Sequence, residues 1–168
     1  SLEYFDQTLA GSDPLSDRRG QAESLYNLGW VYSQLGEVQK ASDFRNRALI
    51  LFRSLGDRRG EALTLIANGD FYSWLGEKQQ AFDLLNRALE LVRTMGDKRW
   101  EPTIIAKLGW ALFQMGEKQR SLDYLRESLR LYQAANIRPG EAALLCDLGE
   151  IYYSSGQKQK ALDHFGRA

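Results

Sequence analysis

Apolar residues recur along this chain at steps of three and four, the spacing that puts them on one face of a helix. Ala62, Leu65, Ile66, Gly69, Tyr72 and Leu75 form one such stripe, and Ala81, Leu84, Leu85, Ala88, Leu89 and Val92 form the next. Gly76 lies between the two and Gly96 follows the second, each suited to the left-handed conformation that ends a helix. The second stripe predicts a helix from about Lys78 to Met95, with Asp97 placed to cap the helix after it. Asn136 stands one period beyond Gly96, and asparagine is the next most tolerant residue of that conformation. Pro102 falls in the first turn of its helix, where no amide hydrogen bond is lost. The connections are short, so successive helices must be antiparallel neighbours.

The whole pattern returns every 40 residues. When residues 18–57 are set over residues 58–97 without a gap, 22 of 40 positions are identical. Gly29, Gly69, Gly109 and Gly149 keep this spacing in mid-helix, where glycine costs about 1 kcal/mol against alanine. They therefore mark close approaches of two helix backbones, met from the second helix by Ala41, Ala48, Ala81 and Ala88. A strict period of this length means stacked helix pairs rather than one globular core, and such arrays work by offering a long surface to a partner. The repeats read as residues 18–57, 58–97, 98–137 and 138–168. Residues 1–13, with Leu2, Phe5 and Leu9 as the apolar face, read as the second helix of a preceding repeat, shortened by Gly11 and Pro14. The sequence stops midway through the last second helix with no polar capping helix. It is thus expected to be part of a longer protein, and its apolar ends are expected to favour self-association.

Residues within each repeat carry a family resemblance. Leu28-Gly29-x-x-Tyr32 in the first helix, then Gly36-Glu37-x-Gln39-x-Ala41 and Asn46-Arg47-Ala48-Leu49 in the second, resemble the tetratricopeptide repeat. The 40-residue spacing, with Gly56-Asp57-Arg58-Arg59-Gly60-Glu61-Ala62 at the junction, is similar to the long-helix variant of that repeat. This variant occurs in kinesin light chains and in bacterial and cyanobacterial signalling proteins, where the arrays accompany caspase-like CHAT domains or signalling ATPases. Leu75-Gly76-Glu77-Lys78-Gln79-Gln80-Ala81 is most similar to the cyanobacterial wording. HEAT repeats have a comparable length but lack this glycine, tyrosine and alanine signature. The resemblance covers the whole chain and implies an all-α, right-handed superhelical solenoid.

It also implies a groove. First helices of the family line the concave face, which here places Glu23, Tyr26, Trp30, Ser33 and Gln34 from the first repeat on that wall. The second repeat supplies Leu63, Ile66, Asp70, Ser73 and Trp74. Thr103, Ala106, Trp110, Phe113 and Gln114 follow from the third, and Ala143, Cys146, Glu150, Tyr153 and Ser154 from the fourth. Leu25, Leu65, Ile105 and Leu145 take the family's common core tryptophan site, so three of the four tryptophans fall on groove positions. Each large aromatic side chain can bury roughly 150–250 Å². Three tryptophans with Tyr26, Phe113 and Tyr153 would together make an apolar patch at the upper limit for a monomer, about 300–600 Å². Two readings stay open: an aromatic groove for a peptide or helix, or rings packed between repeats. Asp70 and Glu150 on the same wall would favour a basic residue in a ligand. A chaperone-tail carboxylate clamp needs several groove cations, and its sites carry Tyr26, Trp30, Ala67, Thr103 and Lys107, of which only the last is one.

Two positions break the core pattern. Arg45 occupies a site held by Phe5, Leu85, Leu125 and Phe165 in the other copies, and Asn68 replaces Leu28, Leu108 and Leu148. Two polar departures in touching helices suggest that they compensate each other, so a hydrogen bond between Arg45 and Asn68 is expected. The alternative is that Arg45 reaches to solvent. Paired cations recur at the junctions as Arg18–Arg19, Arg58–Arg59 and Lys98–Arg99. They read as salt-bridge donors to acids such as Asp43, Asp83 and Asp123, or else as a basic ridge.

Charge and rare residues narrow the function. Lys plus Arg and Asp plus Glu both number 22, which argues against nucleic-acid binding through bulk charge. No apolar run approaches the roughly 20 residues that span a bilayer. One cysteine, Cys146, precludes an intrachain disulfide and fits a reducing, cytoplasmic setting. With His164 as the sole histidine, neither a metal site nor a His-based catalytic arrangement is expected, and no glycine-rich phosphate loop is present. The expectation is a non-enzymatic array without cofactor or metal that binds a protein or peptide. The alternative is an intramolecular regulatory array, whose ligand is another domain of the same parent protein, a CHAT-like protease or a signalling ATPase under its control.

Overall fold

The structure is a computed structural model, and it describes residues 17–168. The helix expected over residues 1–13 lies outside the described residues. Among these there are eight α-helices and no strand: α1 (Arg18–Gln34), α2 (Val38–Ser54), α3 (Arg58–Trp74), α4 (Lys78–Met95), α5 (Glu101–Gln114), α6 (Lys118–Ala134), α7 (Arg138–Ser154) and α8 (Lys158–Phe165). Each odd-numbered helix packs along the even-numbered helix that follows it, and α2, α4 and α6 each pack on the first helix of the next pair.

Curvature follows from which helices meet across repeats. Successive first helices touch, α1 with α3, α3 with α5 and α5 with α7, whereas successive second helices make no comparable contact. Helices that converge lie on the inside of a bend, so the first helices form the concave layer and the second helices the convex back.

The turns are built as their residues dictate. The glycines ending the helices have positive φ, among them Gly76 at 82° and Gly96 at 69°, and Asn136 takes the same role at 54°. Behind Gly76 the amide of Glu77 donates to the Tyr72 carbonyl at 2.9 Å, closing the wide C-terminal loop that uses up an otherwise unpaired carbonyl. Asp17 and Asp57 cap α1 and α3 by accepting from the Gly20 and Gly60 amides, each at 2.8 Å. Asp97 departs from the expected role. Residues 98–100 form a turn and α5 starts only at Glu101, so the Asp97 carboxylate instead accepts from the Arg99 amide and guanidinium, which hold its pKa down to about 2. Pro102 within the first turn of α5 suits this late start.

Repeats are stapled in register. Arg53 donates to Glu61 at 2.5 Å, Arg93 to Glu101 at 2.7 Å, and Gln133 to Glu141 at 2.8 Å, one bond at each successive junction. The junction cations use different acids from those expected. Arg19 pairs with Glu23 and Asp57, and Arg99 with Asp97. Asp43 and Asp123 pair along their own helices with Arg47 and Arg126, and Asp83 accepts from Gln79. Residues three or four apart on one helix are nearer than residues one repeat apart on the outer layer.

The mid-helix glycines are close-approach sites. A methyl at Gly109 would sit 2.8 Å from Leu125 Cγ and 3.3 Å from the Ser121 carbonyl oxygen, with the backbone unable to give way. Gly109→Ala is therefore expected to lower stability by about 1–3 kcal/mol even though alanine is the better helix former. A chemical denaturation midpoint equal to or above that of the parent chain would refute this packing account.

Candidate functional site

Two clefts of the concave layer, each lined by neighbouring first helices, hold most of the expected groove residues. The first, about 510 Å³, lies between α1 and α3. Its walls are Tyr26, Trp30, Ser33 and Gln34 on one side and Ala67, Asp70, Phe71 and Trp74 on the other, with Arg45 of α2 at the floor. Trp30 and Trp74 remain 57% and 68% exposed, an unusual state for the largest apolar side chain. The second cleft, about 390 Å³, runs over α3, α5 and α7 and includes Asp70, Ser73, Thr103, Lys107, Trp110, Tyr132 and Asp147.

The other expected groove residues divide between surface and core. Ile66 is only 8% exposed and belongs to the central core cluster, so it is not a groove residue. It lies on the core edge of the helical stripe, where its branched side chain is drawn inward against α4. Trp110 and Phe113 are half-buried, 5.4 Å apart between ring centres, and lean on the core of the last two repeats. Gln114 is half-buried, and its backbone carbonyl accepts from Lys78 at 2.6 Å. Glu150 is exposed and Tyr153 is 65% exposed at the far end of the array. The fourth tryptophan, Trp100, packs against the central core. The six aromatic rings therefore do not form one continuous patch. Trp30, Trp74 and Tyr26 share the first cleft, while Trp110 and Phe113 make a wall that belongs partly to the core.

Charges are also arranged differently from the sequence expectation. Asp70 bonds Lys107 at 2.7 Å, bridging α3 to α5 between the two clefts, so it is not a free acid awaiting a basic ligand. Asp147, which sequence reasoning passed over, is half-buried in the second cleft, and burial together with nearby Glu150 raises its carboxyl pKa. No described cation forms an ion pair with it.

Arg45 and Asn68 do not pair. The guanidinium donates through Nη1 to the Ala67 carbonyl at 2.6 Å, through Nη2 to Ser33 Oγ at 3.2 Å and through Nε to the Gly29 carbonyl at 3.4 Å. It also lies over the Phe71 ring, 4.7 Å from its centre. Arg45 is 5% exposed, and desolvation pulls its pKa below the usual arginine value against the opposing pull of Tyr26, Asp70 and Tyr72. Asn68 is 2% exposed, and its Oδ1 has no hydrogen-bond partner. The long arginine side chain extends past Asn68 to the concave side, where backbone carbonyls are already oriented to receive it. The sequence marked both residues as departures from the repeat; only the packed helices show where the guanidinium ends.

Among the described residues, no three His, Cys, Asp or Glu side chains are grouped to hold a metal, and no helix is long and apolar enough to cross a membrane. The clefts offer aromatic faces, hydroxyls, one buried cation and scattered acids, a set suited to holding a ligand.

Comparison with known proteins agrees with this architecture. Two tetratricopeptide repeat family models match the sequence, one over residues 60–134 and the other over residues 22–51. No curated protein sequence matches the chain. Among solved structures, the chain is similar to BtubC (BKLC) from P. vanneervenii at 20% identity and a TM-score of 0.79, covering 98% of this chain and 66% of that one. It is also similar to nearly identical TPR-like repeats of a kinesin light chain from Podosopora anserina, at 18% identity and TM-score 0.80, covering 99% and 82%. A third is a Signal Transduction ATPase with Numerous Domains from Pyrococcus horikoshii with a tetratricopeptide repeat sensor, at 20% identity and TM-score 0.84, covering 97% and 25%. The chain thus spans 66% of the length of BtubC and a quarter of the ATPase. At these identities the likeness carries the fold alone. Helix pairs repeating every 40 residues, with first helices turned inward and two family models matching most of the repeats, place this chain in the tetratricopeptide repeat family.

Proposed function

We infer that the array is a protein-interaction module whose concave face receives a peptide or helix from a partner. One observation carries this reading: Trp30 and Trp74 stand more than half exposed on opposite walls of the same cleft. Exposed tryptophan lowers solubility and returns nothing to the core, whereas buried tryptophan anchors dominate many protein interfaces. Tyr26 lines the same cleft, and Glu150 and Tyr153 extend the groove toward the end of the array.

The test is tryptophan fluorescence with iodide quenching, followed by selection of a random peptide library against the immobilised chain. Trp30 and Trp74 should give red-shifted, readily quenched emission over the blue-shifted signal of Trp100. Selected peptides should bind the Trp30→Ala/Trp74→Ala variant about tenfold more weakly or worse, with unchanged circular dichroism. Equal binding by that variant would move the recognition surface away from this cleft.

A second reading is favoured by the Pyrococcus horikoshii protein, whose tetratricopeptide repeats are a sensor within an ATPase. The occupant of the groove is then another part of the same parent protein, and the array regulates a CHAT-like protease or signalling ATPase domain. Both readings use one groove and differ only in where the ligand is encoded.

A further inference from the structure

We propose that the first cleft selects an acidic peptide segment, one aspartate or glutamate side chain of the partner reaching Arg45 between Trp30 and Trp74. This rests on the groove reading above and adds the charge of the residue that enters this cleft.

The fold does not need a cation at position 45. The same site in later repeats holds Leu85, Leu125 and Phe165, and the mid-helix glycine facing it accepts each of them: Gly69 lies against Leu85, Gly109 against Leu125 and Gly149 against Phe165, as Gly29 lies against Arg45. Exchanging a buried charged group for a hydrophobe of similar volume is often neutral or stabilising, so packing does not explain the arginine. A sequence that breaks its own repeat at a buried site without a gain in packing points to use.

The charge also has no ion-pair partner among the described residues. The oxygens that Arg45 meets are two carbonyls and a hydroxyl, dipoles that satisfy three of its five N–H groups and leave two. No described carboxylate lies within ion-pair distance of it, and the nearby acid Asp70 is occupied by Lys107. Nearly buried, the guanidinium nevertheless lines the cleft. A carboxylate entering there meets a fixed cation whose fork geometry suits it, between indole faces that displace water. Charge-assisted hydrogen bonds strengthen in such a site, and the same cation repels lysine or arginine.

The experiment pans a random peptide library displayed on phage against the chain and, separately, against its Arg45→Leu variant. Leucine fills this site in two other repeats, so the variant is expected to fold and to melt at or above the parent temperature. With the parent chain, enriched peptides should share an aspartate or glutamate at one fixed position beside an apolar residue. Exchange of that acid for its amide in the synthetic peptide should weaken binding to the unaltered chain about tenfold or more, a measurement that needs no protein variant. Arg45→Leu should lose the acidic preference while still enriching peptides through the tryptophans. Peptides enriched with no acidic position, enriched in lysine or arginine, or bound equally by Arg45→Leu would overturn the proposal and leave the groove reading standing. Failure to enrich any peptide would overturn both. Binding of a single-stranded oligonucleotide through Arg45, in place of acidic peptides, would also overturn it.

Discussion

Leu108→Ala is expected to lower the unfolding free energy by about 2–5 kcal/mol. Leu108 is fully buried in α5, within a cluster that also holds Leu85, Leu89, Ile104 and Ile105. Truncation removes hydrocarbon from the interface of two repeats and leaves a cavity. The site has little freedom to collapse, because neighbouring Gly109 already brings α5 close to the α6 backbone at Ser121. Position within the array adds a second consequence. Each repeat of a solenoid is stabilised by its neighbours alone, so weakening a central junction uncouples the two halves. Guanidinium unfolding followed by circular dichroism should show a lower midpoint and a broader or split transition. Hydrogen exchange should show faster opening of α5 than of α3. A single transition shifted by less than about 1 kcal/mol would mean that the junction relaxes around the smaller side chain.

The double substitution Arg45→Leu/Asn68→Leu is expected to act in the opposite direction, raising stability by about 1–4 kcal/mol. Two separate terms contribute. Asn68 buries an amide oxygen without a partner, and a group of that kind costs about 1–3 kcal/mol. Arg45 holds a desolvated charge that has hydrogen bonds and the Phe71 ring but no ion-pair partner. Leucine at both positions restores the pair found one repeat on, where Leu85 lies against Gly69 and Leu108 is fully buried. Thermal unfolding of the double variant should rise by several degrees. Because the two residues share a neighbourhood, the single substitutions need not add to the double. A drop in melting temperature would show that the Ala67 and Gly29 carbonyls depend on the guanidinium more than these energies allow. A stable double variant that no longer selects acidic peptides would separate the two roles of this corner, with function held there against stability.

Much of the fold was legible because its determinants are local. The 40-residue period, the apolar stripes and the left-handed positions at Gly76, Gly96 and Asn136 all act within a turn or two of chain, and the helices end where those residues stand. The late start of α5 was not legible. Arg99 competes for the Asp97 carboxylate, and this side-chain bond replaces the helix cap that Asp17 and Asp57 provide. The groove was legible as a list of positions but not as a surface. Trp30 and Trp110 are equivalent in the repeat, yet one is exposed and the other leans on the core of the last two repeats.

By itself, then, the sequence determined the number and pairing of the described helices, the close glycine crossings, the absence of a charge excess and the two residues that break the repeat. These depend on spacing, backbone conformation and composition, which a linear string carries in full. Tertiary structure alone decided which equivalent residues reach solvent, which acid pairs with which cation, and where the Arg45 guanidinium comes to rest. Those outcomes depend on distances between side chains a repeat or more apart. Such distances are fixed by the curvature that all the repeats produce together.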